Sequence, residues 1–157
     1  MLTTTIFIGG SRSISEIPTA IQARFQRIVE RGHEVVVGDA PGVDVLTQRC
    51  FAKLGYHRVR VYHSSQRCRN NLGRWPTCSI EAGSRPGTAA FYTVKDEAMT
   101  EAASYGLMLW DGVSRGTLAN TMRLLGQGKP LLLYFQPNQA AITMRSIADL
   151  GLLPKQA

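Results

Sequence analysis

Three short runs of this chain combine glycine with an acid, a hydroxyl or an arginine, the mixture that a sugar phosphate calls for. Gly10, Ser11 and Arg12 belong to GGSR, and Gly38, Asp39, Ala40, Gly42, Val43 and Asp44 belong to GDAPGVD. Asp111, Gly112, Ser114, Arg115, Gly116 and Thr117 follow the apolar run LMLW. Glycine lets a backbone come close to a ligand. Arginine grips phosphate oxygens with a planar fork of donors, and aspartate accepts from ribose hydroxyls. A helix that opens directly after such a turn adds unpaired N–H groups, which favour an anion. Thr117 or Ser114 can cap that helix or donate to a phosphate oxygen. Capping also accounts for Asp39 and Asp44, yet two acids and two glycines in GDAPGVD exceed what a cap requires. None of the three runs is the G-x-G-x-x-G fingerprint or a G-x-x-x-x-G-K-[ST] phosphate loop, so an ordinary dehydrogenase or ATPase is disfavoured.

A fourth group, Lys95, Asp96 and Glu97, lies within a stretch of helical spacing. Adjacent helical residues point about a quarter turn or more apart, so of Asp96 and Glu97 only one can face a given site. Glu97 reads as solvated, and Lys95 and Asp96 stay open as site residues. Cys50, Cys68 and Cys78 form no C-x-x-C pair, and their spacing to His57 and His63 fits no metal-ligand pattern. No metal and no required cofactor is expected.

The elements that position these residues follow from periodicity. Thr4 to Ile8 reads as a first strand ending at Gly9, and Ile17 to Arg31 as a helix with Ile17, Ile21, Phe25 and Ile28 on one face. His33 to Val37 is a second strand, continuous in apolar residues as expected for one covered on both sides. A helix opened by Gly42 and Asp44 runs to Gly55, and Arg58 to Tyr62 is a third strand. His63 to Gly87 has little apolar periodicity and reads as a long loop, functional or mobile. Thr88 to Ser104 is helical, Leu107 to Trp110 a strand, Leu118 to Gly126 a helix and Leu131 to Phe135 the last central strand. Ala140 to Leu150 reads as a short closing helix followed by a loose tail. Alternating strands and helices predict an α/β fold, an open parallel sheet of about five strands with helices on both faces. In such a sheet the turns after Ile8, Val37 and Trp110 open at one edge, so the three glycine runs converge on one crevice.

The 157 residues suffice for one domain. An apolar fraction of 44% with 18% charged residues excludes a disordered chain, and no apolar run reaches the length of a membrane span. MLTTTIFIGG lacks the basic flank and long apolar core of a signal peptide, so a cytoplasmic setting is expected. Lys and Arg number 18 against 11 Asp and Glu, and a net charge of +7 attracts phosphates at long range. Arg60, Arg67, Arg69, Arg74 and Arg85 concentrate in or beside the long loop, near Trp75. Such a loop can contact single-stranded nucleic acid or cover a charged small molecule.

GGSR, GDAPGVD, the VKDEAM helix and YGLMLWDGVSRGTLANTMRLLGQGKPLLLY together resemble the YspA-like group of the SLOG superfamily, and the likeness spans Ile6 to Tyr134. The resemblance implies a Rossmann-like domain whose ligand site is lined by residues of the three glycine runs. It implies a nucleotide or NAD-derived ligand such as ADP-ribose, held by a sensor or a nucleotide-processing protein, and a homodimer. The superfamily includes the LONELY GUY phosphoribohydrolases and the single-strand DNA-binding DNA-processing protein A, so hydrolysis of nucleoside phosphates and nucleic-acid binding are the alternatives. The phosphoribohydrolases carry a glutamate three residues after the threonine of P-G-G-x-G-T-x-x-E, where this chain has Asn120. An amide is no general base. If hydrolysis occurs, Asp39, Asp44, Asp96 or Asp111 must supply the carboxylate.

Overall fold

The computed structural model describes residues 4–64 and 67–154. The tail expected to be loose therefore lies partly outside the described residues. Thirteen elements' worth of chain resolve into one sheet and its covering helices. The strands are β1 (Thr5–Gly10), β2 (Glu34–Gly38), β3 (Val59–His63), β4 (Thr77–Ser79), β5 (Tyr105–Trp110), β6 (Leu131–Phe135) and β7 (Ala140–Met144). The helices are α1 (Thr19–Arg31), α2 (Val43–Lys53), α3 (Ala89–Ala102) and α4 (Arg115–Gly126). The sheet runs in the order β4-β3-β2-β1-β5-β6-β7. All neighbours are parallel except β6 and β7, which are antiparallel.

The central strands are buried on both faces, and their alternating side chains build two cores. Ile6, Ile8, Val35, Val37, Leu107 and Leu109 pack with Ile21, Phe25 and Phe51 from α1 and α2. Phe7, Val36, Met108 and Trp110 pack on the other face with Met99 of α3 and Leu124 of α4. Apolar runs rather than alternation are what a doubly covered strand needs, which is why these strands were readable. Where β1 is flanked by β2 on one side and β5 on the other, chain order reverses, and the crevice of an open α/β sheet forms there.

The parallel α/β expectation holds, with seven strands in place of about five. The two additions are edges. β4 lies inside the segment expected to be loop and is only three residues long, with Val61 opposite Thr77 and His63 opposite Ser79. β7 replaces most of the expected closing helix. Ala140, Ala141 and Met144 are good helix formers, but pairing with β6 from Phe135↔Ala140 to Leu131↔Met144 overrides that preference. A short 3-10 helix, Ile147–Leu152, follows. No helix among the described residues is long and apolar enough to cross a membrane.

Candidate functional site

At the carboxyl edge of the sheet, beyond the ends of β1 and β5, lies a cavity of about 420 Å³. Gly10 at the end of β1 and Arg12 after it, Ala40 before α2 and Asp44 in its first turn, Lys95 and Asp96 of α3, and Asp111, Ser114, Gly116 and Thr117 around the start of α4 line it. Elements far apart in the chain thus meet at one hollow. A smaller cavity of about 230 Å³ at the amino ends of the strands is lined by Arg24, Arg27 and Arg31 with apolar sheet residues, and has none of the glycine turns.

The turn after β5 explains the local order. Gly112 takes a positive φ of 84°, and the chain reverses there into α4. Asp111 Oδ1 accepts from the N–H groups of Val113 at 2.9 Å and Ser114 at 2.7 Å, and its Oδ2 accepts from Ser13 Oγ at 2.6 Å. Burial would raise the Asp111 carboxyl, but these donors outweigh it and hold it below the usual carboxylate value. Asp111 is therefore occupied in shaping the turn, although it borders the cavity. Ser11, fully buried, ties the first turn to this one. Its Oγ accepts from the Asp111 N–H at 3.1 Å and shares a hydrogen bond with Thr117 Oγ1 at 3.3 Å.

Gly116 sits in the first turn of α4 with a face to the cavity, and a Cβ added there would meet nothing within 4 Å. The helix start is thus open to the hollow, and its first N–H groups have no partner within the helix. Arg12 is exposed, lines the cavity and makes no hydrogen bond or ion pair with the described residues. Its Cζ lies 5.4 Å from the centre of the Tyr92 ring.

Lys95 is 3% exposed, a buried cation on the cavity wall, with Nζ 3.5 Å from Asp39 Oδ1. Asp39 itself is fully buried behind Lys95 and does not line the hollow. Arg69 holds it with Nη2 to Oδ1 at 2.8 Å, Nε to Oδ2 at 3.1 Å and the backbone N–H to Oδ2 at 3.0 Å. Burial pushes the Asp39 carboxyl up, but Arg69 and Lys95 outweigh it and keep it below the ordinary value. Its carboxylate pins residues 69–70 to the end of β2 instead of reaching a ribose.

Asp44 accepts from the Ala40 N–H at 3.1 Å, and burial pushes its carboxyl up to about 6 despite the opposing charge of Lys95. Asp96 is likewise raised, by burial, against Lys95 and the Asn120 amide. Asp44 and Asp96 are the two acids on this wall whose carboxyls hold a proton more tightly than usual.

The remaining residues expected at the site stand behind it. Gly38 admits Asp44 and Lys95, since a Cβ there would lie 2.4 Å from Asp44 Oδ2. Gly42, at φ 83°, lets the backbone of Arg12 approach, with its Cα 2.5 Å from the position of a Cβ. Val43 is fully buried in the core, and Arg115 is exposed without lining the cavity. Tyr92, Met99 and Asn120 line the hollow and were not among the expected ligand residues. Tyr92, Lys95, Asp96 and Met99 fall at helical i, i+3, i+4, i+7 spacing, a signal that would have placed Tyr92 on the face of Lys95. Among the described residues no cluster of three or more His, Cys, Asp or Glu side chains could hold a metal ion.

No protein-family model matches the chain, and no curated protein sequence does. Solved structures share the fold. DNA processing protein A from Helicobacter pylori, described for its mode of binding single-stranded DNA, superposes with a TM-score of 0.61 at 16% identity, over 83% of this chain and 64% of that one. This chain thus spans less than two thirds of that protein's length. The molybdenum cofactor binding protein from the phototrophic bacterium Rippkaea orientalis superposes with a TM-score of 0.62 at 17% identity, over 85% of this chain and 77% of that one. At these identities the likeness is one of fold, a Rossmann-like sheet with helices on both faces.

Proposed function

We propose that this chain is a SLOG-type domain that binds a nucleotide or NAD-derived ligand, of ADP-ribose type, in the cavity beyond β1 and β5. The observation that carries the reading is that Arg12, whose guanidinium lies over the Tyr92 ring but makes no hydrogen bond or ion pair with the described residues, and the open helix start at Gly116 line one hollow. Both features suit a phosphate, one by charge-assisted hydrogen bonds and the other by free N–H groups. Lys95 adds a third positive group from α3. That the same fold holds single-stranded DNA in one protein and a molybdenum cofactor in another supports ligand binding at large, and the chemistry of this wall narrows it.

The test is calorimetry with a panel of nucleotides and ADP-ribose. Arg12→Ala is expected to weaken the best binder about tenfold, or ~1.4 kcal/mol, the scale of one charged hydrogen-bonding group. Gly116→Val should abolish binding with the thermal midpoint unchanged, because the added side chain projects into the hollow and not into the fold. Full affinity in both variants removes this cavity as the site.

A second reading, an N-glycosidase or phosphoribohydrolase, is favoured by one observation: Asp44 and Asp96 line the same wall, both with raised carboxyl values. Of the four candidate acids, Asp39 is committed to Arg69 and Asp111 to the turn, so Asp44 and Asp96 are the remaining proton donors or acceptors. Chromatography of nucleoside monophosphates after incubation would show free base, lost in Asp44→Asn or Asp96→Asn. Intact substrate across the panel leaves binding alone.

A further inference from the structure

We infer that the ligand has two halves, and that the second half occupies a separate cavity reached past Tyr92. The inference rests on the nucleotide reading above and names the class of nucleotide. The second cavity, of about 710 Å³, lies between the ends of β3 and β4, the stretch 81–87 and the start of α3. Tyr92 lines both cavities, so the two share this residue as a wall. Three cations surround that ring, with Arg69 Cζ at 5.0 Å, Arg12 Cζ at 5.4 Å and Lys95 Nζ at 5.8 Å from its centre. Arg12 and Lys95 belong to the first cavity and Arg69 to the second. Anything that passes the ring from one hollow to the other comes within reach of these three cations. Arg69 and Lys95 share the Asp39 carboxylate and Arg12 has no ion pair with the described residues, so the passage suits a bridging phosphate.

The second cavity has the parts of a built site. Ser64 is 6% exposed and lines it, and its buried Oγ has no hydrogen-bond partner among the described residues. Buried hydroxyls are nearly always paired, so an unpaired one in a lining residue is a group that a ligand's polar atom completes once the Ser64 side chain turns toward the cavity. Phe91 supplies an apolar wall for a base, and Glu81 an acceptor for sugar hydroxyls. The whole describes a dinucleotide, two nucleosides joined through phosphate, by a pyrophosphate or by a phosphodiester. Two cavities flanking one aromatic ring fit a molecule of two units better than a polymer.

Calorimetry with AMP, NAD and the phosphodiester-linked dinucleotide pApA decides it. One of the two dinucleotides should bind at least tenfold tighter than AMP, and which one does so identifies the linkage. Ser64→Ala and Gly83→Trp should remove that gain while leaving AMP affinity within twofold. A Cβ at Gly83 meets nothing within 4 Å, so the large side chain is tolerated by the fold, and thermal melting checks that it is. AMP binding without any gain for either dinucleotide, or a gain that survives both substitutions, overturns the second subsite and leaves the first. No binding of any of the three overturns both. An affinity that goes on climbing from pApA to a twelve-nucleotide deoxyadenylate also overturns it, in favour of a strand-binding groove.

Discussion

Four aspartates of the same chemistry meet four different environments around the carboxyl edge of the sheet. Asp39 is closed in by Arg69, Asp111 is spent on the turn into α4, and Asp44 and Asp96 are left on the cavity wall. The Asp44 value of about 6, raised from 3.8 chiefly by burial, has a consequence for stability. A carboxyl whose value rises on folding binds its proton more tightly in the folded chain. The folded state therefore gains over the unfolded one as pH falls from about 6 to 3.8, and that gain is lost as pH rises through the folded value. Asp44→Asn keeps an acceptor for the Ala40 N–H and has no charge to bury. The variant should be more stable than the parent in urea at pH 7, with the difference vanishing near pH 4. A variant less stable at pH 7 would mean that the attraction of Lys95 exceeds the penalty of burial.

At the scale of elements, the segment between β3 and α3 is tied down by contacts that its sequence does not announce. Gln48 of α2, fully buried, donates from Nε2 to the carbonyls of Gly38 at 2.9 Å and Asn70 at 3.0 Å, and accepts from the Leu72 N–H at 2.9 Å. One amide side chain thus joins α2, the end of β2 and the stretch that carries Arg69. Truncation leaves buried backbone groups unpaired, and Gln48→Ala should cost about 2 kcal/mol in chemical denaturation. Amide exchange at Asn70 to Leu72 should quicken more than exchange in β1 or β5. Equal protection would place the anchoring elsewhere, in Asp39 with Arg69 or in Trp75, whose Nε1 donates to the Tyr56 carbonyl at 2.7 Å. The same distant pairings explain the misread edges. β4 is three residues held by β3, and β7 is held by β6 against the helical preference of its alanines.

Over the whole molecule, periodicity revealed the central strands and all four α-helices because each must bury a face or two faces to exist, and that requirement is written locally in spacing. The three glycine runs were legible for a similar reason, since a chain that reverses sharply at a strand end needs glycine, as at Gly42 and Gly112, both at positive φ. The capping expected of Asp39, Asp44, Ser114 and Thr117 is not found, because no side-chain oxygen caps α2 or α4. By itself, then, the chain determined an α/β sheet with its turns at one edge and the kinds of side chain offered there. Which of those side chains faces the hollow was decided only by the tertiary structure. Asp39 and Asp44 stand five residues apart in one motif, yet Arg69, thirty positions on, draws the first inward and leaves the second on the wall. Helical spacing puts Tyr92 on the face of Lys95, but that this face meets the hollow follows from the packing of α3, and Ser64 lines the neighbouring cavity just after β3. Charge pairing and burial depend on neighbours brought together from distant parts of the chain, and no local pattern records them.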